Sequence, residues 1–468
     1  MTMTFDSLLS EITDPKGREI FDPATGDVVG KAPFDSVEVL DAAIARAKAA
    51  QPAWAARTDE DRTALLLQAA DAIDAATEPL AELLSREQGK PLNGPNARFE
   101  VGACANWLRA TAATELPGST LLDGDDGNAE IYYRPLGVVG AIGPWNWPMM
   151  ITVWQIAPAL RMGNTTVVKP SEYTPLSVLA LATVINSALP EDVLTVVAGE
   201  GDLGARLSSH PDIDKLMFTG STRTGQAIIR NSADTVKRLT LELGGNDAGI
   251  VLPDVDPKAI AQDLFWGAFV NTGQTCAAIK RLYVHTDVYD AVCTELAAVA
   301  EAMPMGRGLD EDNVLGPLQN KAQYDIVAKL VDTARESGAT MLVGGTPDAD
   351  APGHFYPTTL VSNIDNDNAL VTEEQFGPAL PIVRYDTVDQ AIEWANGLDV
   401  GLGASVWSAD RAAARSVAAR IQAGTVWINS HAAPHPMVPF GGVKMSGYGL
   451  EFGVEGLKAV SAPQVISG

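Results

Sequence analysis

Cysteine is scarce here: Cys104, Cys276 and Cys293 are the only three in a chain of 468 residues. Their scatter excludes a disulfide framework and a Cys-x-x-Cys zinc site, and no metal is expected. Positive charge is also in short supply. Lys and Arg number 33 against 59 Asp and Glu, a formal net charge of -26. Such a surface repels nucleic acid and favours solubility. Histidines number five, and none sits in a recognisable partner motif for a cysteine nucleophile. Over Met1–Asp14 no basic segment leads into an apolar core, so no secretion signal is expected. A reducing compartment, the cytoplasm, suits this chain. One charge-free run, Pro135–Leu160, is long enough to cross a bilayer. Pro144, Pro148, Pro158 and three glycines would break a spanning helix, and Asn146 and Gln155 would lack partners in lipid. A buried strand, a tight loop and a buried helix are expected instead, with no membrane partner.

At this length the chain exceeds one hydrophobic core, so two or three domains are expected. Ser36 is placed to cap a helix carrying Val39, Leu40, Ala43, Ile44 and Ala47 on one face. Further helices are expected from about Glu60 to Ala75 and over Glu78–Gln88. From Tyr132 the pattern changes. Strands Val138–Ile142, Thr166–Lys169, Val193–Val197 and Lys215–Phe218 alternate with helices opened by Pro148 and spanning Pro175–Ala188, Leu203–Ser208 and Arg223–Arg230. That alternation predicts a parallel sheet covered on both faces. It restarts after about residue 245, with helix Pro257–Phe269 and strand Arg281–Val284, and runs to about Asn429. Leu116–Arg134 and the tail after Leu457 fit neither core and read as a hairpin arm and a terminal strand.

Glu242, in Leu-Glu-Leu-Gly-Gly, and Cys276, in Gly-Gln-Thr-Cys, are the most informative pair. A thiolate attacks an aldehyde carbon, and a carboxylate then activates the water that removes the oxidised product. Few reactions need both groups at one site. Cys276 follows a polar, glycine-containing approach, Asn271-Thr-Gly-Gln-Thr, whereas Cys104 and Cys293 sit in helical stretches and read as packing. The plain alternative for Cys276 is a buried, inert thiol. Pro144-Trp-Asn-Trp-Pro148 sets a carboxamide donor in an apolar loop, suited to an oxyanion or simply to a turn.

Phe218-Thr-Gly-Ser-Thr-Arg-Thr-Gly225 offers a glycine, hydroxyls and a helix N-terminus to a pyrophosphate, or is an ordinary capped helix. Val168-Lys169-Pro-Ser-Glu172 ends a parallel strand, where ligands of open α/β sheets bind. Lys169 and Glu172 suit the hydroxyls of an adenosine ribose, and a carboxylate there repels a 2′-phosphate, favouring NAD over NADP; a surface salt bridge is the alternative. Gly199-Glu-Gly-Asp-Leu-Gly204 matches the dinucleotide fingerprint weakly, since the acid expected about 20 residues later is not clear.

Together these motifs resemble the NAD(P)-dependent aldehyde dehydrogenase superfamily over essentially the whole chain. The match continues through Glu373-Glu-Gln-Phe-Gly-Pro378 and Pro439-Phe-Gly-Gly-Val-Lys-Met-Ser-Gly447, with every motif in order. The resemblance implies an α/β protein of the aldehyde dehydrogenase fold, with a Rossmann-like cofactor domain, an α/β catalytic domain and a small β oligomerisation arm. On this sequence the boundaries are 1–115 and 135–245 for NAD binding, 246–446 for catalysis, and 116–134 and 447–468 for the arm. It implies Cys276 as nucleophile, Glu242 as general base, and Asn146 with the Cys276 backbone N–H as oxyanion hole. Trp145, Lys169, Glu172, Gly220, Ser221, Gly225, Glu374 and Phe376 become the cofactor contacts. In this family the helix after the Gly-Ser-Thr loop faces the phosphates, which weakens the Gly199 reading further.

Some positions depart from the family. Gln375 replaces an aliphatic residue, and Gln155 stands where many members have Lys. Glu451 matches a second carboxylate that relays the proton from the base, a relay that without a lysine at 155 lacks its cation. Cys276-Ala-Ala-Ile-Lys-Arg281 and the segment Asn-Ser-His-Ala-Ala-Pro-His-Pro-Met before Pro439 resemble a bacterial subgroup of broad specificity rather than the betaine-aldehyde or retinal types. The expected substrate tunnel holds Met150, Trp154, Ile279, His431 and His435, with Met149, Val153, Pro434 and Met437 around them. No Arg or Lys cluster joins these, although Lys280 and Arg281 are close in sequence. The expectation is NAD-dependent oxidation of medium-chain aliphatic or aryl aldehydes to carboxylic acids through a cysteine thioester, in a homodimer or homotetramer. A CoA-acylating dehydrogenase, a cofactor-free thiol hydrolase and a non-catalytic scaffold are the rivals.

Overall fold

Two parallel sheets carry the site, and the chain crosses between them at Glu242. The computed structural model describes residues 3–125 and 127–468; Met1, Thr2 and Asp126, the last inside the expected hairpin arm, lie outside the described residues. The first sheet has the spatial order Gly447–Tyr448, Arg238–Glu242, Lys215–Thr219, Val138–Ile142, Thr165–Lys169, Leu194–Val196. It is parallel except for Gly447–Tyr448, which runs antiparallel to Arg238–Glu242. Val138–Ile142 and Thr165–Lys169 are buried at every position, as continuous apolar runs demand when both faces are covered. The helix Pro148–Arg161 opens with proline at its first turn and is buried along its whole length. Because chain order reverses on either side of Val138–Ile142, a crevice opens beyond the end of that strand.

The second sheet has the order Thr340–Val343, Thr359–Ser362, Ala379–Tyr385, Ile279–His285, Asp247–Val251, Gly403–Trp407, Thr425–Ile428. Only Thr340–Val343 is antiparallel to its neighbour. Leu243–Asn246 joins the two sheets, so the end of one strand and the start of the next, Glu242 and Asp247, face a common space. A three-stranded antiparallel sheet stands apart, built from Ser119–Gly124, Gly127–Pro135 and the terminal strand Ser461–Ser467. Among the described residues no helix is long and apolar enough to cross a membrane.

Three expectations need correction. On the helix Val37–Ala55, Leu40, Ala43, Ile44 and Ala47 are buried but Val39 is 45% exposed. The i, i+3, i+4, i+7 stripe starting at Leu40 rotates Val39 off the core face. Ser36 holds the N-cap position, yet its side chain makes no capping hydrogen bond. The arm does not begin at 447. Gly447 and Tyr448 pair with Glu242 and Leu241 in the first sheet, the helix Gly453–Ala459 follows, and only Ser461–Ser467 reaches the three-stranded sheet.

Candidate active site

A cavity of about 610 Å³ occupies the crevice, lined by Trp145, Asn146, Lys169, Glu172, Gly220, Ser221, Glu374, Phe376 and Cys276. The residues expected around a cofactor and the expected nucleophile therefore share one space. Lys169 is buried at the end of its strand, donates from Nζ to the Pro170 carbonyl at 2.9 Å, and lies 3.7 Å from the half-exposed Glu172 carboxylate. Ser221 caps the helix Thr222–Ser232, its Oγ accepting from the Thr224 N–H at 3.2 Å, and so presents a helix N-terminus to the cavity. The Gly220 N–H donates to the Glu242 carbonyl at 2.9 Å. Trp145 meets Phe376 edge-on, ring centroids 5.4 Å apart. Glu374 reaches the inter-sheet crossing, where a Cβ on Gly244 would sit 2.8 Å from its Oε2; the Leu-Glu-Leu-Gly-Gly glycine makes that approach possible. Gly225 does not line the cavity: it faces Leu243, whose Cδ2 would lie 2.7 Å from an added Cβ, so it fixes how closely the helix packs. The Gly199–Gly204 segment adds Gly201 and Gly204 to the wall.

Cys276 follows a turn in which Asn271 and Thr272 hold φ of 51° and 57°, left-handed values unfavourable for residues with a Cβ. Side-chain bonds hold that turn. Asn271 Nδ2 donates to the Asn146 carbonyl at 2.8 Å, and Thr272 Oγ1 accepts from the Gly316 N–H at 2.9 Å. Asn146 Nδ2 donates to the Gln274 carbonyl at 2.9 Å, and Trp147 Nε1 to Thr275 Oγ1 at 2.9 Å. A carboxamide has two N–H donors, so Asn146 has a second one besides that given to Gln274. Sequence reasoning missed what secures this loop. Lys90 Nζ donates to the Asn146 carbonyl at 2.8 Å, pairs with Glu100 at 2.5 Å, and lies 3.6 Å from the Trp147 ring centroid. Glu100 Oε1 in turn accepts from the Met149 and Met150 N–H groups at 2.9 and 3.1 Å. The available signal was an acid at 100 inside the otherwise apolar stripe Ala97, Val101, Cys104, Leu108.

Glu242 and Glu451 are both buried, and burial with the facing carboxylate pushes Glu242 well above the usual carboxylate range. Burial also raises Glu451, against the pull of Lys215. Lys215 is buried at the start of its strand, its Nζ donating to Thr240 Oγ1 at 2.7 Å, and burial brings its own pKa down to about 7. Gln155 takes no part; its Nε2 donates to the Ile142 carbonyl and Thr219 Oγ1. The Cys276 thiol is pushed up to about 12 by burial, and then by Asp247, Glu374 and Glu242.

On the far side of the thiol, Met150 and Trp154 belong to an apolar cluster with Trp107, Phe440 and Phe452, against which Cys276 packs. The other expected tunnel residues part company. Ile279 packs among Leu264, Phe265 and Leu282 in the core of the second sheet. It opens the strand Ile279–His285, whose register against Asp247–Val251 skips Lys280, a bulge that leaves Ile279 on the same side as Leu282. The His431 side chain is fully buried, its Nε2 3.4 Å from Asp247 Oδ2 and its ring 5.0 Å from Trp427. His435 is exposed, with Nδ1 accepting from the Met437 N–H at 3.2 Å, and Met437 itself is exposed. Arg281 is not free for a substrate: its guanidinium donates to the carbonyls of Asn246, Trp394 and Ala395.

The model of the aldehyde dehydrogenase family matches residues 12–466. The chain belongs to that family. A putative aldehyde dehydrogenase, FUS7, of Gibberella fujikuroi is 38% identical over 97% of this chain and 97% of its own. The phenylacetaldehyde dehydrogenase of Pseudomonas fluorescens is 39% identical over 95% of this chain and 91% of its own. The NAD+ complex of an aldehyde dehydrogenase from Bacillus cereus superimposes with a TM-score of 0.94 at 34% identity, covering 99% of this chain and 98% of that one. As a family member the protein is an oxidoreductase acting on aldehydes. Within the aldehyde dehydrogenase fold, Gln375, the residue that departs from an aliphatic position, donates from Nε2 to the Lys280 and Ala379 carbonyls at 2.9 and 2.5 Å, tying the Glu374 turn to the strand that follows Cys276.

Proposed function

We propose that the protein oxidises an apolar aldehyde to its carboxylic acid, with NAD as oxidant and Cys276 as the covalent carrier. The observation that carries this reading is the meeting of Cys276, Asn146 and the cofactor-loop residues around one cavity, with Glu242 acting on the thiol from its edge. The cavity fits a dinucleotide. Lys169 and Glu172 suit the adenosine ribose, the Gly220–Ser221 loop and the helix N-terminus suit the pyrophosphate, and Glu374 and Phe376 suit the nicotinamide end. NAD held there supplies the hydride acceptor.

The protein's own part follows from its side chains. Cys276 Sγ attacks the carbonyl carbon to form a thiohemiacetal, with the Asn146 amide and the Cys276 N–H stabilising the oxyanion. Loss of hydride leaves a thioester on Cys276. Glu242 takes a proton from water, whose oxygen attacks the thioester, and the thiolate leaves as the carboxylic acid departs. Burial and the facing Glu451 raise the proton affinity of Glu242, which makes its carboxylate a stronger base. Glu451 and Lys215 lie behind it as a route for the proton.

The apolar cluster of Met150, Trp154, Phe440 and Phe452 supports medium-chain aliphatic or aryl aldehydes, and the engagement of Arg281 removes an anchor for an acidic one. The phenylacetaldehyde relative agrees with this choice. The Glu172 carboxylate supports NAD over NADP. The exposed Leu121, Leu122, Val465 and Ile466 of the three-stranded sheet support assembly into a homodimer or homotetramer, in the cytoplasm. A buried base argues against CoA as acceptor. The test is absorbance at 340 nm with a panel of aldehydes, NAD or NADP, with and without CoA. CoA-independent NADH formation from hexanal and benzaldehyde is expected. Growth only with CoA would move the assignment to the acylating reaction, and a higher kcat/KM for succinic semialdehyde would overturn the substrate class.

A further inference from the structure

The residue after the oxyanion donor and the residue before the nucleophile are bonded to each other. Trp147 Nε1 donates to Thr275 Oγ1 at 2.9 Å, and that hydroxyl donates onward to the Val270 carbonyl at 3.2 Å. The hydroxyl's one proton is thereby committed, and the three groups form a directed chain. Val270 and Thr275 bracket the turn in which Asn271 and Thr272 hold left-handed backbone, so the hydroxyl spans that turn from end to end. Strained backbone persists only where its surroundings over-determine it. Trp147 and Thr275 are 4% and 8% exposed, buried enough that losing either partner leaves the other unpaired. The indole is itself held. Lys90 Nζ lies 3.6 Å from its ring centroid, Phe99 meets it edge-on at 6.3 Å, and it belongs to the apolar cluster against which Cys276 packs.

We propose that Trp147 and Thr275 form a clip that sets the Cys276 thiol against the Asn146 carboxamide, a positioning pair for formation of the thiohemiacetal. Two other bonds join the same loops, from Asn146 Nδ2 to the Gln274 carbonyl at 2.9 Å and from Asn271 Nδ2 to the Asn146 carbonyl at 2.8 Å. Both end on Asn146. The clip alone grips the residue whose peptide leads into Cys276. Neither Trp147 nor Thr275 supplies a reacting atom, and each acts through its neighbour in the chain. Attack and oxyanion stabilisation need thiol and carboxamide on one carbonyl group together, so a small displacement of either raises the barrier without weakening substrate binding. The loss therefore falls on the rate of the first chemical step and spares KM. Because one bond joins the two side chains, removing either end should cost as much as removing both.

This role rests on Cys276 and Asn146 acting as proposed above, so one arm of its test involves no chemistry. Trp147→Phe, Thr275→Val, the double variant and Thr275→Ser are compared with wild type. Phenylalanine keeps a ring beside Lys90 without the N–H, valine keeps the shape of threonine without the hydroxyl, and serine keeps the hydroxyl. In the first arm, hydrogen exchange read by mass spectrometry should quicken about ten-fold over residues 270–276 in the first three variants alike. In the second, the pre-steady-state rate of NADH formation from benzaldehyde at saturating NAD should fall about ten-fold in the same three, with KM within about two-fold of wild type. Thr275→Ser should stay near wild type in both arms. Wild-type exchange or wild-type rates in Thr275→Val would overturn the proposal. So would losses that multiply in the double variant, which would make the two side chains independent, or a loss confined to KM, which would assign them to the substrate wall. If Trp147→Phe fails to fold, Thr275→Val against Thr275→Ser decides by the same readings. Absence of NADH from wild type across the aldehyde panel would sink the oxidation reading and this proposal with it, whereas the failures above, in an active enzyme, sink the proposal alone.

Discussion

Replacing Lys90 with methionine deletes a buried charge and leaves its partner behind. Lys90 and Glu100 are both 0% exposed at their side chains, and the ammonium sits between Glu100, the Asn146 carbonyl and the face of Trp147. Methionine preserves the volume, so little cavity opens. What remains is a carboxylate with two backbone N–H donors and no cation, and removing one partner of such a pair costs about 3–5 kcal/mol. Glu100→Gln should cost about as much for the converse reason. The double variant leaves no unpaired charge and should recover about 2 kcal/mol or more relative to the sum of the single changes. Urea unfolding followed by tryptophan fluorescence, in a double-mutant cycle, measures these differences. The Asn146 loop gives a second readout. Its carbonyl keeps only the Asn271 donor in Lys90→Met, so turnover should fall while NAD binding is retained. A loss of stability below about 1 kcal/mol in Lys90→Met, or a double variant with no recovery, would refute the claim that this pair holds the oxyanion loop.

Three further perturbations test the site. Asn146→Ala should lower turnover by about 100-fold, equivalent to about 3 kcal/mol of barrier, with NAD affinity by fluorescence titration unchanged; near wild-type turnover would remove Asn146 from the chemistry. Glu451→Gln removes the like charge that raises Glu242, so the acid limb of the kcat profile, where Glu242 becomes protonated, should move to lower pH. An unmoved or upward-shifted limb would contradict the coupling. Glu172→Gln should improve kcat/KM with NADP relative to NAD by about ten-fold, a modest change because Glu172 is more than a third exposed and therefore screened; an unchanged ratio would take cofactor choice away from this residue.

Much of the framework can be read from one dimension because its signals are local. Val138–Ile142 is an unbroken apolar run stopped by glycine and proline, and the strand has the expected bounds. Pro148 and Pro175 each open a helix, where a missing N–H does no harm. The motif residues of the first sheet meet because each lies at a strand end or the loop after it, and parallel strands carry those ends to one edge, where Cys276 and Glu374 enter from turns that precede strands of the second sheet. The failures have a different origin. Ile279 is near Cys276 in sequence, yet a bulge at Lys280, where the strand begins, lets Ile279 join the core with Leu264 and Leu282, an irregularity no local pattern marks. His431 met Asp247 from the far side of the second sheet, a pairing no local pattern encodes. Lys90 lies past a helix end and Glu100 within another helix, and only tertiary packing buries them together. Lys215 acts on Glu451 from another strand, a neighbourhood visible only once the sheet is assembled.

The two passages between the sheets meet at a single place. The outgoing segment Leu243–Asn246 and the returning segment that ends at Gly447 are fastened by the Leu243 N–H to the Ser446 carbonyl at 3.0 Å and by Ser446 Oγ to the Gly244 carbonyl at 2.7 Å. Gly447 pairs with Glu242 itself. Chimeras that exchange the second sheet between relatives therefore have no safe junction at the obvious linker. A cut at Gly244 alone would join an outgoing strand from one parent to a return strand from the other, and the mismatch would fall on the peptide bearing Glu242. Junctions that carry 242–247 and 441–451 together, from the same parent, keep that clasp intact, and they mark where this architecture tolerates recombination.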